Sequence, residues 1–218
     1  IRISQPIDGT VLALGGELKN AVAMARGAEI VLSPHIGDLT TPEALDGLDA
    51  VLRDLPSFLG WTPDRIAIDT HPDYQSSKRG RQLAREAGCP VVEVQHHRAH
   101  AAASLAEHGL EEALVLAFDG TGWGEDDTVW GAELFHATSA STRRVASFAP
   151  VPLPGGDTAV RQPYRQLASR FLAAGLEADE LASCESLPPA VRSGAYLDTL
   201  NTQMERGLNC PKTRAAGR

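Results

Sequence analysis

The chain has 218 residues, with 28 acidic against 20 basic side chains and a formal charge of −8. A polyanion-binding surface needs clustered Lys and Arg, and the longest basic run is Lys78-Arg79-Gly80-Arg81, so the balance argues against a nucleic-acid partner. Apolar residues make up 43% of the chain. No stretch approaches the roughly 20 apolar residues of a membrane span and no signal-peptide pattern opens the chain, so a soluble protein that contacts no membrane is expected.

Length suggests one or two domains with a real core. Cys89, Cys184 and Cys210 form no C-x-x-C pair and cannot all be bridged, which points to a reducing, cytoplasmic setting. A start at Ile1 and a stop at Ala216-Gly217-Arg218 read as a piece of a longer protein.

In chain order, Val11 to Leu14 is an apolar run closed by Gly15-Gly16, and Ala28 to Leu32 another closed by Ser33-Pro34, with Ala21 to Ala25 between them. Three short strands in a meander are expected. Thr41-Pro42-Glu43 gives an N-cap, a proline in the first turn and an acidic residue at the positive helix end. That helix should run towards Phe58, with Pro56 arguing for an early end. Arg65 to Asp69 reads as a strand entering the polar loop Thr70-His71-Pro72-Asp73. Ser76 to Ala87 reads as a helix ended by Gly88. Val91 to Val94 is the next strand, and a helix from about His97 to Glu107 stops at His108-Gly109. Alternating strands and helices make this half α/β with some parallel pairing.

From Ala113 the pattern restarts. Leu114 to Phe118 is an apolar strand ending at Asp119-Gly120, a Gly/Asp-rich turn follows, and Val129 to His136 and Arg144 to Phe148 are further strands. Leu12-Ala13-Leu14-Gly15-Gly16 and Leu116-Ala117-Phe118-Asp119-Gly120 stand 104 residues apart, which suggests a duplicated α/β domain. Residues 1–111 would be a first lobe and 112–218 the start of a second, with a cleft between them. Beyond the Pro/Gly-rich 152–156 loop, helical segments at Val160 to Ala174, Glu177 to Cys184 and Ala190 to Arg206 read as a helical insertion from about residue 158.

Val94-Gln95-His96-His97-Arg98-Ala99-His100 falls at a strand-to-helix junction. Residues i and i+4 share a helical face, so His96 and His100 can aim at one point, as two ligands of a borderline metal must; His97 points elsewhere. The plainer reading is a pair of hydrogen-bonded helix histidines. Asp119 ends a strand 23 residues after His96, a place where α/β folds collect ligands. Two His and one Asp suit Fe(II) or Zn(II) with open positions; alternatively Asp119 caps the glycine turn. Gly120-Thr121-Gly122-Trp123-Gly124 could let backbone N–H groups approach a phosphate, or could be glycines of a hairpin. Lys19 could meet a phosphate or carbamoyl group, or be an exposed hairpin lysine. Gly155-Gly156-Asp157 opens the helical part, where Arg161 and Arg165, one turn apart, could hold an anion or form a solvated face.

The order LALGGELKN, SPHIGDL, DTHPDY, VQHHRAHAAA, AFDGTGWGEDDTVWGAE, VPLPGGD and NCPKT resembles the HypF carbamoyltransferase family of [NiFe]-hydrogenase maturation, specifically the first part of its TsaD-like C-terminal domain. The resemblance implies the duplicated actin/sugar-kinase/Hsp70 fold (ASKHA), incomplete at its C-terminus. It implies that ATP and carbamoyl phosphate give carbamoyl-adenylate, whose carbamoyl group passes to the C-terminal cysteine thiolate of HypE. Metal ligands carry over onto His96, His100 and Asp119. Nucleotide contacts carry over onto Gly120, Thr121 and Gly122, onto Gly156 and Asp157, and onto Lys19. The metal would act as a Lewis acid, and no nucleophile within this chain is needed. The family's acylphosphatase, zinc-finger and YrdC-like regions are missing, a fourth ligand should lie beyond Arg218, and Thr213-Arg214-Ala215 replaces the usual Thr-Ser-Ser; the fragment alone is expected to be inactive. Two other readings stand beside this one: an O-carbamoyltransferase of natural-product tailoring with a hydroxyl acceptor, and a non-catalytic nucleotide-binding or docking module.

Overall fold

In a computed structural model that describes residues 1–185, 187–189 and 192–216, the first apolar runs form two long strands instead of three short ones. β1 (Arg2–Ala13) and β2 (Ala23–Leu32) pair antiparallel. Between the pairs Ile7↔Gly27 and Thr10↔Arg26, β1 advances three residues while β2 advances one. This bulge, with Gly9 at φ 74° and Gly27 at φ 56°, lets the ladder continue across Arg26-Gly27, the gap between the two expected strands. Ala21 to Ala25 and Ala28 to Leu32 therefore belong largely to one strand.

The helix α1 (Pro42–Leu59) starts as its sequence dictates, with the Thr41 hydroxyl accepting from the Ala44 N–H at 3.3 Å. It does not end early at Pro56. A proline one turn from the end removes one ladder bond, and burial of Leu48 and Leu52 with Leu55 and Leu59 packed alongside outweighs that loss. Gly60 ends the helix in the left-handed conformation, φ 63°.

β3 (Arg65–Asp69), α2 (Gln75–Ala87), β4 (Val91–Val94) and α3 (His96–His108) follow as the alternating pattern predicts. The sheet order is β2-β1-β3-β4, with β1/β3 and β3/β4 parallel. Leu12, Leu14, Val22, Met24, Leu48, Ile66 and Ile68 form the buried centre of this unit. β3 lies between two strands; its pairing with β1 ends at Ala67, while pairing with β4 continues to its C-terminal residue Asp69, opposite Val94.

β5 (Glu112–Trp123) runs five residues past Phe118, straight through the glycine-rich segment. The turn to β6 (Val129–Thr138) falls later, where the Gly124 N–H donates to the Thr128 carbonyl at 3.1 Å. β7 (Thr142–Ser147) pairs with β6, and two short strands not foreseen from sequence, β8 (Val151–Pro152) and β9 (Lys212–Thr213), complete the order β5-β6-β9-β8. Two residues are too few to show a period.

The expected helix Val160 to Ala174 is split into α4 (Asp157–Arg161) and α5 (Tyr164–Ala173). Gln162 precedes Pro163 and leaves helical geometry at ψ 69°, as the proline ring demands of its predecessor. Arg161 and Arg165 therefore lie on two helices and not on one face. α6 (Ala178–Ala182) and α7 (Gly194–Glu205) follow, and Leu181, Leu187, Leu197 and Leu200 pack with Ala168 as a second core. The expected start of the last helix at Ala190 lies outside the described residues, as do Gly217 and Arg218. Two compact units are present: residues 1–115 with 136–142, and residues 116–135 with 143–218. Among the described residues no helix is long and apolar enough to cross a membrane.

Candidate metal centre

α3 begins directly after β4, and the Gln95 side chain caps it by accepting from the Arg98 N–H at 3.0 Å. That cap fixes the rotation of the first turn. His97 turns into the protein and is fully buried, with its Nδ1 3.2 Å from the Gln95 amide nitrogen. His96 and His100, one turn apart, meet on the other face: their Nε2 atoms are 3.2 Å apart and their rings stand at 85°. Two Zn–N bonds of about 2.05 Å at the tetrahedral angle put their nitrogens about 3.3 Å apart. The pair is thus spaced for one shared cation as well as for one shared proton, and two imidazoles are a donor set that fits Fe(II) or Zn(II).

These rings border a cavity of about 510 Å³ whose lining includes Gly15, Gly16, Asp69 and Ala99. A Cβ on Gly16 would come 3.5 Å from His96 Cε1, an ordinary contact distance, so the β1–β2 loop lies directly against the imidazole. The buried Asn20 amide holds that loop, donating to the Leu14 carbonyl at 2.8 Å and the Gly16 carbonyl at 2.6 Å. Lys19 is exposed at the loop's apex with φ 50°, its N–H bonded to Asp38 Oδ1 at 2.8 Å.

Sequence reasoning missed Asp69. Its carboxylate Oδ2 lies 3.0 Å from His96 Nδ1, and Oδ1 accepts from the His71 N–H at 2.8 Å. The available signal was its position, a carboxylate at the C-terminal end of a strand, the same argument that singles out Asp119.

In the second unit Asp119 is half-buried within β5, and its Oδ1 accepts from the Gly120 N–H at 2.6 Å. Gly120, Thr121 and Gly122 are extended strand residues, which corrects the expectation of a turn at this point; successive strand N–H groups alternate in direction instead of converging. Gly131 on β6 accounts for part of this placement, because a Cβ there would lie 2.4 Å from the Asp119 carbonyl oxygen. Gly156 is buried at φ 52° ahead of α4, and Asp157 is exposed at the first helical position. Arg165 turns back to Gln162, donating to Oε1 at 2.7 Å. Burial pushes the Cys210 thiol up from its ordinary value, so it is no activated nucleophile.

Two family models match the chain: the HypF Kae1-like domain over residues 7–107, and the second subdomain of the carbamoyltransferase Kae1-like domain over residues 115–218. The chain is 39% identical over 210 residues to carbamoyltransferase HypF2 of Cupriavidus necator, covering 96% of this chain and 25% of that protein. A carbamoyltransferase HypF homolog of the same organism is 40% identical over 95% of this chain and 52% of its own length. The crystal structure of full-length HypF in a phosphate- and nucleotide-bound form matches all of this chain with a TM-score of 0.84 at 30% identity, over 28% of that chain. T. kodakarensis HypF matches with a TM-score of 0.83, again at 30% identity, over 29% of its length. The chain thus spans between a quarter and about half of these relatives, and its α/β fold is that of the HypF Kae1-like region.

Proposed function

The chain belongs to the HypF carbamoyltransferase family, and from that premise we propose that it is the region that holds carbamoyl-adenylate and passes the carbamoyl group to an acceptor thiolate in [NiFe]-hydrogenase maturation. The acceptor is the C-terminal cysteine of HypE. The observation that carries the reading is the His96–His100 Nε2 pair, 3.2 Å apart at a cavity in the first unit. We propose that His96, His100 and Asp119 together hold a divalent ion, Fe(II) or Zn(II). When bound, that ion would supply Lewis-acid stabilisation of charge developing on the carbamoyl or phosphate oxygens.

The residues of this chain would then do the following. His96 and His100 offer neutral Nε2 lone pairs, and Asp119 offers a carboxylate oxygen. Lys19 would set its ammonium against the adenylate phosphate, with Gly120, Thr121 and Gly122 along the strand edge and Gly156 and Asp157 on the nucleotide side. A relative bound to phosphate and nucleotide supports a nucleotide site of this kind. Attack by the acceptor sulfur forms a C–S bond as the bond from the carbamoyl carbon to the adenylate oxygen breaks, and AMP leaves. An activated electrophile needs no nucleophile from this chain, in keeping with a Cys210 thiol pushed up from its ordinary value. YrdC-like and acylphosphatase regions, which the family resemblance implies outside these 218 residues, would supply the adenylate.

The test is metal content. The 218-residue chain purified without chelator should contain near-stoichiometric iron or zinc, and His96→Ala combined with His100→Ala should remove it, as should Asp119→Ala. Equal metal in wild type and double variant would overturn the site. Assaying the full-length parent against HypE and against hydroxylated small molecules distinguishes thiolate transfer from O-carbamoyl transfer.

A further inference from the structure

Asp69 is the last residue of β3 and only 7% exposed. Each of its side-chain oxygens has its own partner: Oδ1 accepts from the His71 N–H at 2.8 Å, and Oδ2 lies 3.0 Å from His96 Nδ1. The Ser77 hydroxyl donates to the Asp69 backbone carbonyl at 2.9 Å, so the residue is tied at both ends. An ionised carboxylate has no proton to give. The bond to His96 can therefore form only if Nδ1 carries the hydrogen, which leaves the lone pair of the neutral ring on Nε2, the atom that faces His100.

We propose that Asp69 is a positioning residue that locks His96 in its Nδ1–H tautomer and so presents the Nε2 lone pair to the cavity. A simpler role, capping the loop after β3, accounts only for Oδ1, whose bond to the His71 N–H closes an Asx turn. It leaves the second oxygen unexplained. That oxygen meets the far nitrogen of a ring whose near nitrogen already stands at ligand spacing from a second imidazole. A carboxylate behind a metal-ligating histidine fixes ring orientation and raises ligand basicity, and losing it costs about 10–100-fold in metal affinity. The consequence for affinity rests on the metal site proposed above; the tautomer itself does not.

The experiment uses the whole 218-residue chain labelled with 15N at histidine, first stripped of metal by chelation. Long-range 1H–15N correlation at a pH where His96 is neutral should show a protonated Nδ1 and an unprotonated Nε2. Asp69→Asn keeps an oxygen for the His71 N–H and turns its amide donors towards His96. It should switch the ring to the Nε2–H tautomer and weaken binding of Zn²⁺, the probe used, by about 10–100-fold. A wild-type His96 with an unprotonated Nδ1 would overturn the proposal, as would an Asp69→Asn protein with the same tautomer and the same Zn²⁺ affinity. The wild-type spectrum decides the tautomer even if the variant fails to fold. A wild type with the expected tautomer but no Zn²⁺ binding would uphold Asp69 as the lock on His96 while removing the metal site.

Discussion

Arg144 clamps Asp126: its guanidinium donates to Oδ2 at 2.7 Å and lies over the Trp130 ring, 4.0 Å from the centroid. The other oxygen accepts from the Thr128 hydroxyl at 2.6 Å and the Trp130 Nε1–H at 2.7 Å. Burial alone would push this carboxyl up, but hydrogen bonds from Thr128, Arg144 and Trp130 outweigh it and hold the group far below the usual carboxylate range. Its folded-state pKa is thus below the unfolded value of about 3.9. The stabilisation is present above that value and is lost as pH falls through the folded one. Asp126→Asn should cost about 1–3 kcal/mol at pH 7, towards the lower end because the side chain is 31% exposed. It should also flatten the acid limb of stability below about pH 4. Urea unfolding from pH 6 to pH 3 checks both, and an unchanged acid limb in the variant would refute the assignment.

Glu133 has the opposite slope. It is fully buried, and Oε2 accepts from the Gly131 and Ala132 N–H groups, both at 2.8 Å. Burial pushes the carboxyl up, and the two N–H groups with Arg144 and Arg214 offset this only in part. With the folded value raised, the stabilisation is full below the unfolded pKa of about 4.3 and lost as pH rises through the folded one. Glu133→Gln keeps an oxygen for both N–H groups and removes the buried charge, so stability at pH 7 should be equal or higher by about 1 kcal/mol. Glu133→Ala leaves those donors unpaired and should lose about 2 kcal/mol or more. Denaturation midpoints of the two variants at pH 7 should fall on opposite sides of, or one level with and one well below, the wild type.

Much of the candidate site was legible because it is local. His96 and His100 are separated by one helical turn, a spacing that puts both rings on one face, where their Nε2 atoms stand 3.2 Å apart. Asp69 was not legible in this way, since the 27 residues separating it from His96 are bridged by parallel pairing of β3 with β4 and not by any local period. Punctuation residues misled where tertiary packing overrode them. Pro56 stays inside α1 because Leu48 and Leu52 before it are buried and Leu59 after it packs against the same core, and Gly27 continues β2 because a bulge in β1 absorbs the mismatch. Asp119-Gly120 reads as a turn, yet pairing with β6 carries the strand on to Trp123 and moves the turn to Gly124. Pro163 went the other way, as a true break inside a segment whose periodicity looked continuous.

Gly80 on α2 shows which of two effects wins. Alanine gains about 1 kcal/mol of helix propensity over glycine in a helix interior. A Cβ at this position, however, would stand 2.4 Å from Ile68 Cγ2 and 3.2 Å from Leu14 Cδ2. Both partners belong to the buried core, where overpacking costs about 1–3 kcal/mol. Gly80→Ala should therefore be net destabilising by up to about 2 kcal/mol, measured by equilibrium unfolding, with Gly47→Ala on α1 as the control. There the nearest atom to an added Cβ is 3.7 Å away, so the propensity gain should appear as a small stabilisation. A stabilised Gly80→Ala would show that α2 can move off β3.

Asn20 ties the sequence of the β1–β2 loop to the shape of the candidate site. Its amide nitrogen donates to two carbonyls, of Leu14 and of Gly16, from a position 1% exposed. Asn20→Ala leaves both carbonyls without that donor and should cost about 1–3 kcal/mol. Asn20→Asp is nearly the same size, yet it replaces the donor with an oxygen facing two carbonyl oxygens, so it should cost more than alanine at pH 7. Burial against two carbonyls raises the folded pKa of that aspartate and protonation restores one donor, so the excess cost of aspartate over alanine should shrink as pH falls through the raised value and be smallest below the unfolded value of about 4. Unfolding measured at pH 7 and pH 3.5 for both variants gives the comparison. If aspartate is no worse than alanine at pH 7, the amide's two donor bonds are not what holds Gly16 beneath His96.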